Sequence, residues 1–175
     1  MQEQFACLVI ADESEEFPAA LTYGGLLAKS AGWRLLMLRV IEPSDPAPWA
    51  TITEEIRRQA HAAAESLTQR FAAEIWAECG VTAEPILREG DLKPEIRKLL
   101  DEESTIKLVV LASAPAPKGP GPLVASLAKQ GLGGRPAPVL VVPGALSKDE
   151  IRALALSVSG AAAAESLTGE DKAPT

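Results

Sequence analysis

The sequence predicts an open five-stranded parallel α/β sheet with helices on both faces, followed by a C-terminal extension. Three observations lead there. Short, mostly apolar runs recur at Phe5–Ala11, Arg34–Val40, Leu108–Leu111 and Val139–Val142, the pattern of strands buried on both faces. Segments with apolar residues at helical spacing separate them. The resulting order, β-α-β-α-β-α-β-α-β, requires right-handed crossovers and therefore parallel strands.

The first strand, Phe5–Ala11, ends at Asp12. A helix follows with Phe17, Leu21, Gly24, Leu27, Ala28 and Ala31 on one stripe, and Gly32 is placed to stop it. Arg34–Val40 is the second strand. A Pro-rich connection, Glu42–Ala50, carries Trp49, which covers a pocket, meets a partner or closes over the core. The long helix from about Thr53 to Cys79 sets Ile56, Ala60, Ala63, Leu67, Phe71 and Ile75 on its inner stripe and ends at Gly80. Val81–Leu87 is a third strand, at an edge because it contains Pro85. Asp91 caps the next helix, which runs to Leu100 and tolerates Pro94 in its first turn.

The last unit is strand, loop, helix and strand. Its loop holds Pro115, Pro117, Gly119, Pro120, Gly121 and Pro122, its helix spans about Leu123–Lys129, and Gly131-Leu132-Gly133-Gly134 stops that helix. One α/β domain thus occupies residues 1–144, with an extension over 145–175. In the extension, Ser147 and Glu150 have capping-box spacing, and Ile151, Leu154, Ala155 and Val158 form an apolar stripe. A short helix, Ser147–Ser159, and a fraying tail are expected. The heptapeptide Ala62–Thr68 recurs at Ala162–Thr168 without flanking similarity, so it marks no repeat.

Composition narrows the functions. The 175 residues are 47% apolar and 23% charged, with a formal charge of −7. That balance suits one globular domain and disfavours binding to nucleic acid or anionic lipid. The opening residues lack the cationic lead of a secretory signal, and no apolar run reaches spanning length, so a cytoplasmic location is expected. Cys7 and Cys79 have no metal-site or redox spacing and are read as core residues. His61, the lone histidine, lies mid-helix beside the apolar stripe and reads as a solvated or half-buried helix residue. No Ser-His-Asp set, supported carboxylate pair or metal cluster is legible, so neither an enzyme nor a metal protein is expected. Gly119-Pro120-Gly121 has Val124 where a dinucleotide motif needs its third glycine, and is rejected as one.

Four segments, in order, carry a resemblance. They are Ile10-Ala11-Asp12-Glu13-Ser14, Arg39-Val40-Ile41-Glu42-Pro43, Arg88-Glu89-Gly90-Asp91 and Ala137-Pro138-Val139-Leu140-Val141-Val142. Together they resemble the universal stress protein family over roughly Phe5–Val142. The resemblance implies a Rossmann-like, adenine nucleotide alpha hydrolase-like fold. It also implies ATP as the one cofactor to consider. The family's ATP-binding branch carries Gly, two residues, Gly, nine residues, then Gly followed by Ser or Thr. Here Ala112, Pro115 and Ala125-Ser126 hold those places, and only Ser126 matches. By the same resemblance Asp12, Val40, Gly119, Gly121 and Ser126 would surround a nucleotide, Val40 through its backbone.

Physics gives that departure weight. A phosphate chain is held by loop N–H groups and a helix N-terminus. Pro115, Pro117, Pro120 and Pro122 delete four donors. Pro122 also suits the first position of a helix. Lys118 adds one exposed cation, and the N–H groups of Leu123–Ala125 stay open as a residual anion site. Asp12 has a plain alternative role, capping the turn after the first strand.

The leading expectation is a universal-stress-like protein that has lost tight ATP binding and acts through contacts with an unknown protein partner. The alternative is a nucleotide-dependent switch, with a weak ATPase behind it. Val139, Leu140, Val141 and Val142 should form an edge strand, and such an edge must be covered. The resemblance implies cover by a second copy, giving a homodimer. The tail helix is the competing cover.

Overall fold

A computed structural model of the protein describes residues 4–43 and 50–167. Trp49 and the end of the tail lie outside the described residues. The elements are β1 (Ala6–Ile10), α1 (Phe17–Ala31), β2 (Arg34–Ile41), α2 (Ala50–Cys79), β3 (Ala83–Glu89), α3 (Leu92–Glu102), β4 (Ile106–Ser113), α4 (Pro122–Gln130), β5 (Val139–Pro143) and α5 (Lys148–Leu167). The sheet is five-stranded and parallel throughout, in the order β3-β2-β1-β4-β5. The expected fold class is the observed one.

Register explains why β1 is apolar at every position. Cys7 sits between Leu35 of β2 and Leu108 of β4, and all five β1 residues are buried. Alternate side chains then point to opposite helical layers. Cys7, Val9, Leu35, Met37, Val110 and Val142 pack with Phe17, Phe71, Ile75 and Ile151, so α1, α2 and α5 cover that face. Leu8, Ile10, Leu36, Leu38, Val109 and Leu111 pack with Ile96, Leu99 and Leu100 of α3 and with the inner side chains of α4. Each fully buried leucine contributes about 1.5–3 kcal/mol.

The helix stops fall as expected. Gly32, Gly80 and Gly131 all take positive φ at helix ends, and Pro122 opens α4. Asp91 occupies the N-cap of α3, but its side chain makes no capping bond. Both cysteines are free and buried. Burial raises the Cys7 thiol to a pKa of about 12, so it is inert packing.

Some expectations require correction. Ala31, Ile56, Ala63 and Leu154 were assigned to inner stripes but are exposed. The first half of α2 runs beyond the sheet, which leaves Ile52 and Ile56 without cover. The third strand spans Ala83–Glu89, two residues later than the Val81–Leu87 run, because its pairing with Leu35–Ile41 sets the register. The terminal helix is longer than the expected Ser147–Ser159, since α5 reaches Leu167 through Gly160. One glycine costs a helix about 1 kcal/mol, which the alanines after it offset. Ser147 and Glu150 do form the capping box: Ser147 N–H donates to Glu150 Oε2 at 2.8 Å, and Glu150 N–H donates to Ser147 Oγ at 3.3 Å.

The described part of the tail helix packs on the face of the sheet and leaves Val139 and Val141 of β5 exposed. Its Ile151 and Ala155 are buried against the α1 layer. Lys148 Nζ reaches Glu78 Oε2 at 3.0 Å and an Arg152 guanidinium nitrogen lies 3.8 Å from Glu78 Oε1, which ties α5 to α2.

Candidate functional site

The chain leaves β1 toward one helical layer and leaves β4, its neighbour, toward the other. A crevice must open where adjacent connections diverge, at the C-terminal ends of the strands. There the structure has a cavity of about 790 Å³. Its walls come from the turn after β1, the end of β2, Ala60, Ala63 and Ala64 of α2, the start of α3, and the start of α4. Small alanine side chains on α2 leave the space open on that side.

Of the five residues expected around a nucleotide, the structure brings three to this cavity: Asp12, Val40 and Gly121. Gly119 and Ser126 do not line it. Ser126 lies in the interior of α4, past the helix start.

Asp12 organises the turn that leaves β1. Its Oδ1 accepts from Ser14 N–H at 2.9 Å and from the Ser14 hydroxyl. Ser14 Oγ in turn accepts from Phe17 N–H at 3.2 Å at the start of α1. This is the capping role expected as the plain alternative. Only one carboxylate oxygen is used, so the geometry leaves the second for another partner.

Val40 is core by its side chain and available by its backbone. Leu38 O accepts from Ala11 N–H at 2.7 Å, and β1 pairing ends at that level. Backbone groups two residues apart in a strand point the same way. The N–H and C=O of Val40 therefore point past the end of β1, into the crevice.

The β4–α4 loop offers little to an anion. Prolines at 115, 117, 120 and 122 have no N–H. Lys118 N–H donates to Pro115 O at 3.2 Å, and Lys118 Nζ lies 3.5 Å from Glu15 Oε2. Ala125 N–H, expected to be open, donates to Gly121 O at 3.0 Å as the first bond of α4. Among the described residues, the Gly121, Leu123 and Val124 amides remain at the helix mouth. Gly119 and Gly121 have φ of 78° and 84°, and a Cβ on either would meet nothing within 4 Å. They shape the loop; no close approach requires them.

One cavity residue was passed over in the sequence. Arg39 shares the α1–α2 face of β2 with Leu35 and Met37, and alternation alone would have shown it. Its side chain is 23% exposed. Its closest partners are Ala11 O at 3.4 Å and Glu13 Oε1 at 3.7 Å, and its Nε is buried with no hydrogen-bond partner among the described residues.

His61 is half-buried, as expected, and pairs through Nε2 with Glu89 at the end of β3. Arg57 grips the same carboxylate at 2.8 and 2.7 Å. The Arg57 hydrogen bonds, followed by that of His61, pull the Glu89 pKa down to about 2. No group of three His, Cys, Asp or Glu among the described residues could hold a metal ion. None of the described helices is long and apolar enough to cross a membrane.

A family model described as the universal stress protein family matches residues 6–143. The chain belongs to the universal stress protein family. Solved structures share the fold at low identity. Universal stress protein UspA from Lactobacillus plantarum is 19% identical with a TM-score of 0.66, over 81% of this chain and 99% of that one. The Archaeoglobus fulgidus universal stress protein in complex with dAMP is 14% identical with a TM-score of 0.56, over 81% and 99%. A universal stress protein family member from Arabidopsis thaliana with AMP bound is 18% identical with a TM-score of 0.55, over 79% and 91%. No curated protein sequence matches the chain. The family match ends at β5, so α5 is an addition to the universal stress protein fold.

Proposed function

We propose that this universal stress protein acts in the cytoplasm through protein contacts, as a homodimer, without turnover and without tight ATP binding. One observation carries the proposal: of the five residues by which the β4–α4 loop and the start of α4 line the cavity, Pro120 and Pro122 have no N–H, and only the Gly121, Leu123 and Val124 amides face the place where a triphosphate needs a cradle. The surroundings reinforce it. Asp12, Glu13, Glu16 and Glu42 line the cavity against Arg39 and Lys93, so a polyanion meets net repulsion.

The contact surface is the β5 edge. Val139 and Val141 are 37% and 38% exposed, beside an apolar groove lined by Val124, Leu127 and Leu132. Unpaired backbone and exposed valines on an edge strand favour pairing with a second β5 across a two-fold axis. Val142 faces the core, so Val139 and Val141 would carry the side-chain contact. Calorimetric titration with Mg-ATP tests the first half of the proposal. No heat at micromolar protein is expected, and a micromolar or tighter Kd would overturn it. Light scattering after size exclusion tests the second, and a monomer at micromolar concentration would end the dimer.

A second reading, an adenylate-dependent switch, is favoured by the cavity volume of about 790 Å³, within the range of small-ligand sites. The Val40 backbone would meet the base and Asp12 the ribose. Two relatives with AMP or dAMP bound add to that reading. Saturable AMP binding that disappears in Asp12→Ala would establish it.

A further inference from the structure

Arg39 stands apart from the comparable arginines of this fold. Arg34 is 32% exposed and forks onto Glu84 at 2.9 and 2.7 Å. Arg57 and Arg58 make the same two-pronged contact with Glu89 and Glu55, at 2.7–3.0 Å. Arg39 is more buried than any of these and has no such partner. Its contacts to Ala11 O and Glu13 are 3.4 and 3.7 Å, and Glu13 is 73% exposed. A long ion pair to a solvated carboxylate contributes little. A desolvated guanidinium without close acceptors costs stability.

We propose that the crevice is a receptor site for one compact oxyanion, a phosphate monoester or a carboxylate, seated on the guanidinium of Arg39. Three features support it. Arg39 lines the cavity and its two terminal nitrogens make only long contacts, 3.4 Å to Ala11 O and 3.7 Å to Glu13 Oε1, so their end-on N–H pair is the part that a planar or tetrahedral oxyanion would match with two hydrogen bonds. The surrounding carboxylates, Asp12, Glu13, Glu16 and Glu42, limit the charge that the ligand can carry and suit hydrogen-bond donors on its body. Ala60, Ala63, Ala64 and Phe17 supply an apolar wall for that body. Arg39 lies on the α1–α2 face of the sheet, opposite the face that α4 covers, so the site needs no phosphate-binding glycines. It is compatible with either reading of function given above.

Thermal unfolding of the full chain tests this assignment, with sodium phosphate, sodium acetate and sodium chloride at equal, low ionic strength. Phosphate or acetate should raise the wild-type Tm above its value in chloride by about 2 °C or more. The better of the two names the oxyanion. Arg39→Met should abolish the difference, and Arg39→Lys should keep part of it. Comparing variant with wild type removes general salt effects. In parallel, AMP should bind at least about tenfold more tightly than adenosine, and the gap should close in Arg39→Met. Equal responses of wild type and both variants, or a wild type indifferent to phosphate and acetate, would overturn the assignment. So would a fall of more than about 5 °C in the ligand-free Tm of Arg39→Met, because Arg39 would then be a structural support. Phosphate protection without any AMP or adenosine binding would leave the assignment standing and remove only the adenylate reading.

Discussion

The two edges of the sheet face the same hazard and meet it differently. Strand β3 carries Pro85, Glu84, Arg88 and Glu89, and its charges are engaged. Arg34 holds Glu84, Arg57 and His61 hold Glu89, and Arg88 reaches Glu102 at 3.3 Å. Strand β5 has no charged residue, and two of its valines are exposed. A proline inside the strand and clamped charges make an edge that refuses a partner; β5 has its proline, Pro143, only at the last position, and its exposed valines favour one. That contrast is the reason for proposing β5 as the contact surface.

The largest effect should come from charging that accepting edge. Val141→Lys places an ammonium against its symmetry mate and is expected to weaken dimerisation by on the order of 100-fold, about 3 kcal/mol. Sedimentation or light scattering across a dilution series reads it. A variant that stays dimeric would move the interface elsewhere.

Next in size is Gly144→Ala, just past β5. A Cβ there would lie 2.4 Å from Glu16 Cβ and 2.9 Å from Ser113 O, both parts of tightly held chain. Overpacking of that kind costs about 1–3 kcal/mol, measurable by urea unfolding. Unchanged stability would mean that the end of β5 is looser than it is drawn.

Removing the guard on the other edge should have a smaller effect. Pro85→Val restores an N–H and a β-branched side chain to β3, and weak, concentration-dependent self-association is expected. If the variant stays as dispersed as the parent, the clamped charges alone guard that edge.

The smallest effect is a pH signature of the clamp. The Glu89 pKa falls from 4.5 to about 2 on folding, so folding favours its ionised form. Its contribution is complete above about pH 4.5 and is lost as pH drops through about 2. The stability difference between wild type and Glu89→Gln should therefore be flat from neutral pH to about 5 and shrink below it. A difference that persists unchanged to pH 2 would contradict the clamp.

Much of this was legible in the chain because local and tertiary signals agree. The apolar runs, glycine stops, Pro85 and the Ser147–Glu150 pair each point to the element that forms. What stayed hidden depends on neighbours distant in sequence. Arg39 was absorbed into an apolar run, although its spacing from Leu35 and Met37 put it on an inner face. Ile56 is exposed because Arg57, beside it, is already level with Glu89 at the end of β3, and Ala63 because it lines the open cavity, neither of which periodicity can report. Ala125 showed an N–H in the sequence, and only the start of α4 decided that Gly121 takes it.

The half-buried carboxylate Glu78 has a practical consequence. Its side chain is 13% exposed, and both of its cationic neighbours, Lys148 and Arg152, belong to the helix beyond the family boundary. Trimming a clone to that boundary would leave this negative charge with only the long Thr22 hydroxyl contacts and no cation from α5, beneath a stripped helical layer. The excised piece would be a less stable object than the whole, so biophysical work should retain the appended helix.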